Sequence, residues 1–178
     1  MKDSKQRLFE VMEKLNPDFK SEKPNFIIPV GISGSGKSTW IKTLEGQGYV
    51  VVSPDDIRRE ILGSVNDQSR GNEIFNIAYQ RVIDAINSGK NVIFDATNVG
   101  SSDRKRMLDF LKQNVNRDFD AYAKIFDADP EVSKERIKKD IEAGVDRSNV
   151  PPEVIDRQYQ KFIGGLDNIE RDGYKIIT

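Results

Sequence analysis

The chain has 178 residues, of which 37% are hydrophobic and 32% charged, enough for one domain with a sizeable core and hardly enough for two. Its 28 basic and 29 acidic side chains leave a formal net charge of -1, which excludes capture of a polyanion by global attraction and leaves only a local patch for that purpose. With no cysteine and no histidine, disulfides, thiolate or imidazole metal sites and Ser-His-Asp or Cys-His catalysis are excluded, so any general base is Asp, Glu, Lys or Tyr.

Residues 1–24 read as an amphipathic helix and a polar connection. Leu8, Val11, Met12 and Leu15 recur at three- and four-residue spacing, and Asn16-Pro17 ends the pattern. The stretch lacks the apolar centre of a signal peptide, and no apolar run approaches the roughly 18 residues that a membrane span needs. The expected setting is cytoplasmic, with no membrane partner.

Residues 25–178 alternate strand-like and helix-like runs. The predicted strands are 26–31, 49–53, 91–95, 121–126 and 174–178, rich in β-branched residues as strands buried on both faces are. The predicted helices are 37–46, 70–88, 102–114 with Ser101 or Ser102 as N-cap, and 152–171, which stops at Asp172-Gly173. Such alternation predicts an α/β fold with a mainly parallel sheet. Pro29 conflicts with its surroundings, because a proline inside a central strand removes a ladder hydrogen bond.

"GISGSGKS", residues 31–38, fits G-x-x-x-x-G-K-[ST] in full, between a strand and a helix. Gly31, Gly34 and Gly36 let the backbone curl so that its N–H groups face inward, with Ser33, Ser35 and Thr39 in the same cradle. Lys37 supplies a point charge for the β- and γ-phosphates, and Ser38 a hydroxyl for Mg²⁺. The motif predicts binding of ATP or another nucleoside triphosphate with Mg²⁺. It does not say where the γ-phosphoryl group goes.

"VVSPDDIRRE", residues 51–60, follows the second strand, on the sheet edge where open parallel sheets bind ligands. An acceptor hydroxyl needs a carboxylate to take its proton, and Asp55 or Asp56 can do so. Arg58 can pair bidentately with a phosphate on the acceptor. The competing reading is an Asp N-cap and arginines on a solvated helix face. Asp95 closes the third strand, where a second carboxylate for Mg²⁺ or its waters belongs, and Thr97 and Asn98 follow as donors to substrate. Arg104, Lys105 and Arg106 read as a solvated face, the alternative being a phosphate-contacting rim. Residues 131–155 run from a helix into a polar loop with Arg136, Lys138, Lys139 and Arg147, which reads as a lid able to move at Gly144. Phe75, Tyr79 and Tyr159 fall at helical spacing and read as core in preference to base-stacking platforms.

The order "GISGSGKST", "SPDDIRRE", "FDATN" and an Arg-rich lid before "VPPEVI" resembles the polynucleotide 5′-hydroxyl kinases, the phage and bacterial nucleic-acid end-healing enzymes. The resemblance covers roughly residues 25–175. It implies a P-loop kinase fold: a five-stranded, mainly parallel sheet with helices on both faces, a helical lid, and the first and third strands as neighbours. It also implies Asp55 as general base, Arg58 on the phosphate next to the acceptor, Asp95, Thr97 and Asn98 at the substrate edge, and Arg136 on the transferring phosphoryl group. The sequence departs from the family's pattern at Asp140, where many members carry a second lid arginine, and Arg147 is the candidate to stand in for it. "DADP" at 127–130 lacks the continuation of a D-x-D-x-T phosphatase motif, so 3′-phosphatase activity is not expected. The expected reaction is phosphoryl transfer to the 5′-hydroxyl end of DNA or RNA. The alternatives are a small-molecule kinase with the same cradle, base and lid, and a non-catalytic ATP-binding switch.

Overall fold

The computed structural model describes residues 23–177, so the predicted N-terminal helix lies outside the described residues. The elements in chain order are β1 (Asn25–Val30), α1 (Lys37–Lys42), β2 (Val50–Val52), α2 (Pro54–Leu62), α3 (Gly71–Asn87), β3 (Val92–Phe94), α4 (Ser101–Asn114), β4 (Asp120–Ile125), α5 (Pro130–Glu142), α6 (Pro152–Gly165), a 3₁₀ turn (Leu166–Asn168) and β5 (Lys175–Ile177). The strands form one sheet in the order β2-β3-β1-β4-β5. Every pairing is parallel. The first and third strands are neighbours, so the ends of β1 and β3 lie side by side.

The period-two alternation of strand side chains divides the core. Phe26, Ile28 and Val30 of β1 face the larger cluster, with Ile74, Ala78 and Val82 of α3, Leu108 and Leu111 of α4, and Ile155 and Phe162 of α6. Ile27, Ile93 and Ile177 face the other way, against Ile41 of α1 and Leu44 just after it. Helices thus cover both faces, as the α/β reading expects. Phe75, Tyr79 and Tyr159 pack against the larger cluster, Tyr79 with its ring 5.9 Å from that of Phe94.

Pro29 now has a physical account. The registered pairing of β1 with β3 ends at Ile27↔Ile93, whereas the pairing with β4 continues through Pro29↔Lys124 to Val30. The Pro29 carbonyl accepts from Asn98 Nδ2 at 2.8 Å, on the β3 side. A residue's N–H and C=O point the same way along a strand, so the missing N–H falls where β3 has already turned away.

Three predicted boundaries are corrected. The first helix stops at Lys42 rather than 46, and turns with Gly46 and Gly48 at positive φ follow. The N-cap of α4 is Gly100, and Ser101 Oγ instead donates to Asp172 at 2.7 Å. Finally, α6 ends at Gly165, where the Gly164-Gly165 pair weakens the helix, and a 3₁₀ turn carries the chain onward.

Candidate active site

The cradle lies between β1 and α1. Gly34 and Gly36 take positive φ of 78° and 100°, which a side chain would strain. A Cβ on Gly34 would come within 2.8 Å of the Ser133 carbonyl, so α5 presses directly on the loop. Lys37 Nζ folds over the loop and donates to the carbonyls of Gly31 at 2.9 Å and Ile32 at 2.6 Å. Ser33 N–H is held by Gln158 Oε1 of α6 at 2.8 Å, and Gly31 N–H by the Thr97 carbonyl at 3.0 Å. Ser38 and Thr39 are exposed in the first turn of α1.

Around the cradle the strand ends bring carboxylates and cations together. Burial lowers the Lys37 pKa to about 8, opposed by the Asp95 carboxylate, with Arg147 lowering it further and Asp55 raising it. Burial raises Asp95 to about 6, opposed by Lys37 and reinforced by Asp55 and then Asp56. Lys37, Asp95, Asp55 and Arg147 therefore share one electrostatic neighbourhood. Arg136 Nη1 reaches the Gly34 carbonyl at 3.3 Å.

Ser53, not an aspartate, caps α2: its side chain accepts from Asp56 N–H at 3.3 Å. Both aspartates are thus released for side-chain pairing. Asp55 Oδ1 accepts from Arg58 Nη1 at 2.7 Å, and Asp56 Oδ1 from Arg59 Nη1 at 2.6 Å. The two pairs differ in their surroundings. Arg58 is only 7% exposed, with its guanidinium 5.9 Å from the Phe75 ring centre, whereas Asp56 is exposed and Arg59 also reaches Asp146 at 2.6 Å. Arg58 Nε is buried without a hydrogen-bond partner among the described residues.

Two readings of the substrate edge need correction. Asn98 does not offer its amide outward. Its Nδ2 donates to the carbonyls of Pro29, Phe94 and Ala96, and its own backbone is left-handed at φ 52°. The donor expected to reach substrate is spent on tying β3 to β1. Arg104 is neither a solvated residue nor a rim contact. It is 1% exposed and donates to Asp172 and to the carbonyls of Asn98, Val99 and Gly165. Its neighbours Lys105 and Arg106 pair with Asp109 and Asp103 on the surface, as a solvated face does. Lys138 and Lys139 likewise lie along the exposed side of α5, near Glu142 and Glu135.

The roles of Gln158, of Asp172 beyond its place at a helix end, and of the Asp146–Arg59 pair are not written in the local sequence. No local signal marks them, since their partners lie 125 positions away for Gln158, 68 for Asp172 and 87 for Asp146. Asp140 reads in the sequence only as a departure from the family's pattern, and it pairs with Arg147 Nη1 at 2.5 Å.

Among the described residues no three His, Cys, Asp or Glu side chains group to hold a metal by themselves. No helix of the described residues is long and apolar enough to cross a membrane.

The profile of the AAA domain family matches residues 26–163. The chain belongs to this family. The likeness to polynucleotide kinases read from the motifs agrees with the relatives that the chain matches. It is 27% identical over 165 residues to a protein of Autographa californica nuclear polyhedrosis virus described as a bifunctional polynucleotide kinase/RNA ligase, covering 84% of this chain and 22% of that one. A chain of the Pnkp1/Rnl/Hen1 RNA repair complex superposes with a TM-score of 0.67 at 25% identity, over 82% of this chain and 46% of that chain. The AAA domain chain thus spans about a fifth of the viral relative and under half of the repair-complex chain. A kinase-like protein from Chloroflexus aurantiacus shares the fold, with a TM-score of 0.62 at 20% identity over 75% of each chain. The sheet and helices are those of a P-loop kinase.

Proposed function

We propose that this P-loop kinase domain, residues 25–178, transfers the γ-phosphoryl group of ATP to the 5′-hydroxyl end of a polynucleotide. The observation that carries the reading is the Asp55–Arg58 pair, 2.7 Å apart and coupled electrostatically to Lys37 and Asp95 at the cradle. A carboxylate and a nearly buried guanidinium beside a triphosphate cradle suit an acceptor that brings both a hydroxyl and a phosphate. The names of the viral relative and of the RNA repair complex agree with such an acceptor.

In the reaction, the 5′-oxygen forms a bond to the γ-phosphorus while the bond from that phosphorus to the β–γ bridging oxygen breaks, and ADP leaves. Asp55 takes the hydroxyl proton. It is preferred to Asp56 because it is the one that acts on Lys37, and Asp56 is held at the surface by Arg59. Arg58 binds the phosphate next to the reacting end, and its partnerless Nε is a donor in reserve for that oxygen-rich group. The backbone from Gly31 to Thr39, including Ser33, Ser35 and Gly36, holds the triphosphate, while Lys37 and Arg136 stabilise charge on the transferring group. Ser38 and Asp95 are the residues to hold Mg²⁺, which supplies neutralisation of the phosphate oxygens. Thr97, whose carbonyl accepts from Gly31 N–H, is the remaining residue of this strand end assigned to substrate.

The test is transfer of label from γ-labelled ATP to 5′-hydroxyl DNA and RNA oligonucleotides, their 5′-phosphorylated counterparts, and free nucleosides. Label on the 5′-hydroxyl oligonucleotides alone is expected. Label confined to nucleosides or other small acceptors would overturn the reading in favour of a small-molecule kinase.

A further inference from the structure

The strap after α5, residues 143–151, crosses to the far side of the site. Val145 N–H bonds back to the Asp140 carbonyl at 2.9 Å. Asp146 then pairs with Arg59 of α2 at 2.6 Å, and Asn149 N–H bonds Asn66 Oδ1 at 2.9 Å. Between these two fastenings comes Arg147. Asp140 Oδ2 holds its Nη1 at 2.5 Å, and its Nε is buried with no hydrogen-bond partner among the described residues. Arg136 and Asp140 are four residues apart on α5, hence on one face of that helix, and Arg136 touches the Gly34 carbonyl.

We propose that Asp140 is a positioning residue, which holds Arg147 against the terminal phosphate of the bound triphosphate so that the strap supplies a guanidinium which α5 does not. The proposal rests on the cradle being a kinase's triphosphate site. A solvated surface pair would leave the guanidinium free to turn and its donors hydrated. Here one donor is fixed by a carboxylate and another is desolvated without a partner, which an anion would remedy. Arg147 also lies near enough to Lys37 to depress its protonation. Two cations converge there, Arg136 of α5 reaches the carbonyl of Gly34 in the same cradle, and such convergence suits a polyanion better than an empty surface.

The same pairing gives Asp140 an effect opposite to that of its own charge. A carboxylate near a polyanion site repels it, so its removal alone should tighten ATP. If Asp140 acts by aiming Arg147, its removal weakens ATP instead.

The experiment compares dissociation constants for ATP and ADP, both with Mg²⁺, in the full chain and in R147A, D140A, D140E and the D140A/R147A pair. A non-transferable γ-phosphate analogue replaces ATP where turnover interferes, and the melting temperature of each variant is recorded. R147A is expected to cut the preference for ATP over ADP by about tenfold, the order of one charge-assisted hydrogen bond. D140A should lower the same ratio, D140E should retain it, and the double variant should be no worse than R147A alone. Equal weakening of ATP and ADP in D140A, or a lowered melting temperature with the ratio intact, would mean that the pair only braces the strap and would overturn the proposal. An unchanged ratio in R147A would overturn it as well. The proposed activity fails separately: a wild-type chain that prefers ATP through Arg147, yet phosphorylates no polynucleotide end, refutes the acceptor and leaves the role of Asp140 standing.

Discussion

Replacing Arg104 with methionine should cost more stability than any other single change of a charged residue on α4. The guanidinium donates to Asp172 at 2.9 Å and to the carbonyls of Asn98, Val99 and Gly165 at 3.0, 2.9 and 2.6 Å. Methionine fills much of the apolar volume of the arginine stem, so the cavity left is small. The loss is instead electrostatic. Asp172, with a side chain 5% exposed, would keep Ser101 Oγ as its side-chain hydrogen-bond partner among the described residues, and the carbonyls of Asn98, Val99 and Gly165 would lose a donor. Breaking a buried pair by removing one member costs about 3–5 kcal/mol. For a domain of this size each kcal/mol moves the melting temperature by about 2–4 °C, so the midpoint should fall by about 6–20 °C. Urea unfolding at constant m-value measures the free energy, with Lys105→Met and Arg106→Met as comparisons expected within about 0.5 kcal/mol of wild type. Arg104→Met with Asp172→Leu should recover much of the loss, because the uncompensated charge is gone. A loss under about 1 kcal/mol, or one no greater than that of Lys105→Met, would refute the assignment of Arg104 as an internal staple.

The site itself yields three further expectations. Asp55→Asn should lower kcat for phosphoryl transfer by about 10²- to 10⁴-fold with little change in ATP affinity, and wild-type turnover would remove Asp55 from its proposed role. In the nucleotide-free chain kcat/KM for ATP should fall below about pH 6, where buried Asp95 gains a proton, and above about pH 8, where buried Lys37 loses one. The sign follows from burial, which favours the neutral form of both; Asp95→Asn should abolish the dependence on the acid side, and its persistence would reassign that limb. Asn98→Ala should cost about 1–3 kcal/mol in urea unfolding, and Asn98→Asp more than that, because a carboxylate would face the three carbonyls that now accept from Nδ2; an Asp variant as stable as wild type would contradict the inward amide.

The parts of the fold legible in the sequence are those governed by local rules. The glycines of "GISGSGKS" declare a curled backbone through their own φ freedom, and the buried β-branched runs declare a two-faced parallel sheet. The Asp55–Arg58 pair was likewise within reach, since three residues along a helix make neighbours. What escaped is what distance in sequence conceals. A charged run at 104–106 looks uniform, yet the first arginine turns inward because Asp172 meets it, and the next two stay in water. Asn98 beside a strand end reads as a substrate donor until Pro29, 69 residues earlier, is seen to need its amide. Asp140 reads as a missing arginine until the strap brings Arg147 back to it. In each case the residue type was visible and its partner was not.

The bond from Ser33 N–H to Gln158 Oε1 has a consequence for the order of assembly. It spans 125 residues and joins the first loop after β1 to α6. The central strand must also wait for its flanking partners, since β1 is registered with Val92 on one side and Asp120 on the other. A growing or refolding chain therefore makes its glycine-rich turn early but fixes it late, once most of the sheet and α6 have docked. Such non-local closure slows folding relative to a helical bundle of equal length. It also means that triphosphate affinity reports the completion of the whole domain, and nucleotide added during refolding should capture finished molecules while doing little to hasten the unfinished ones.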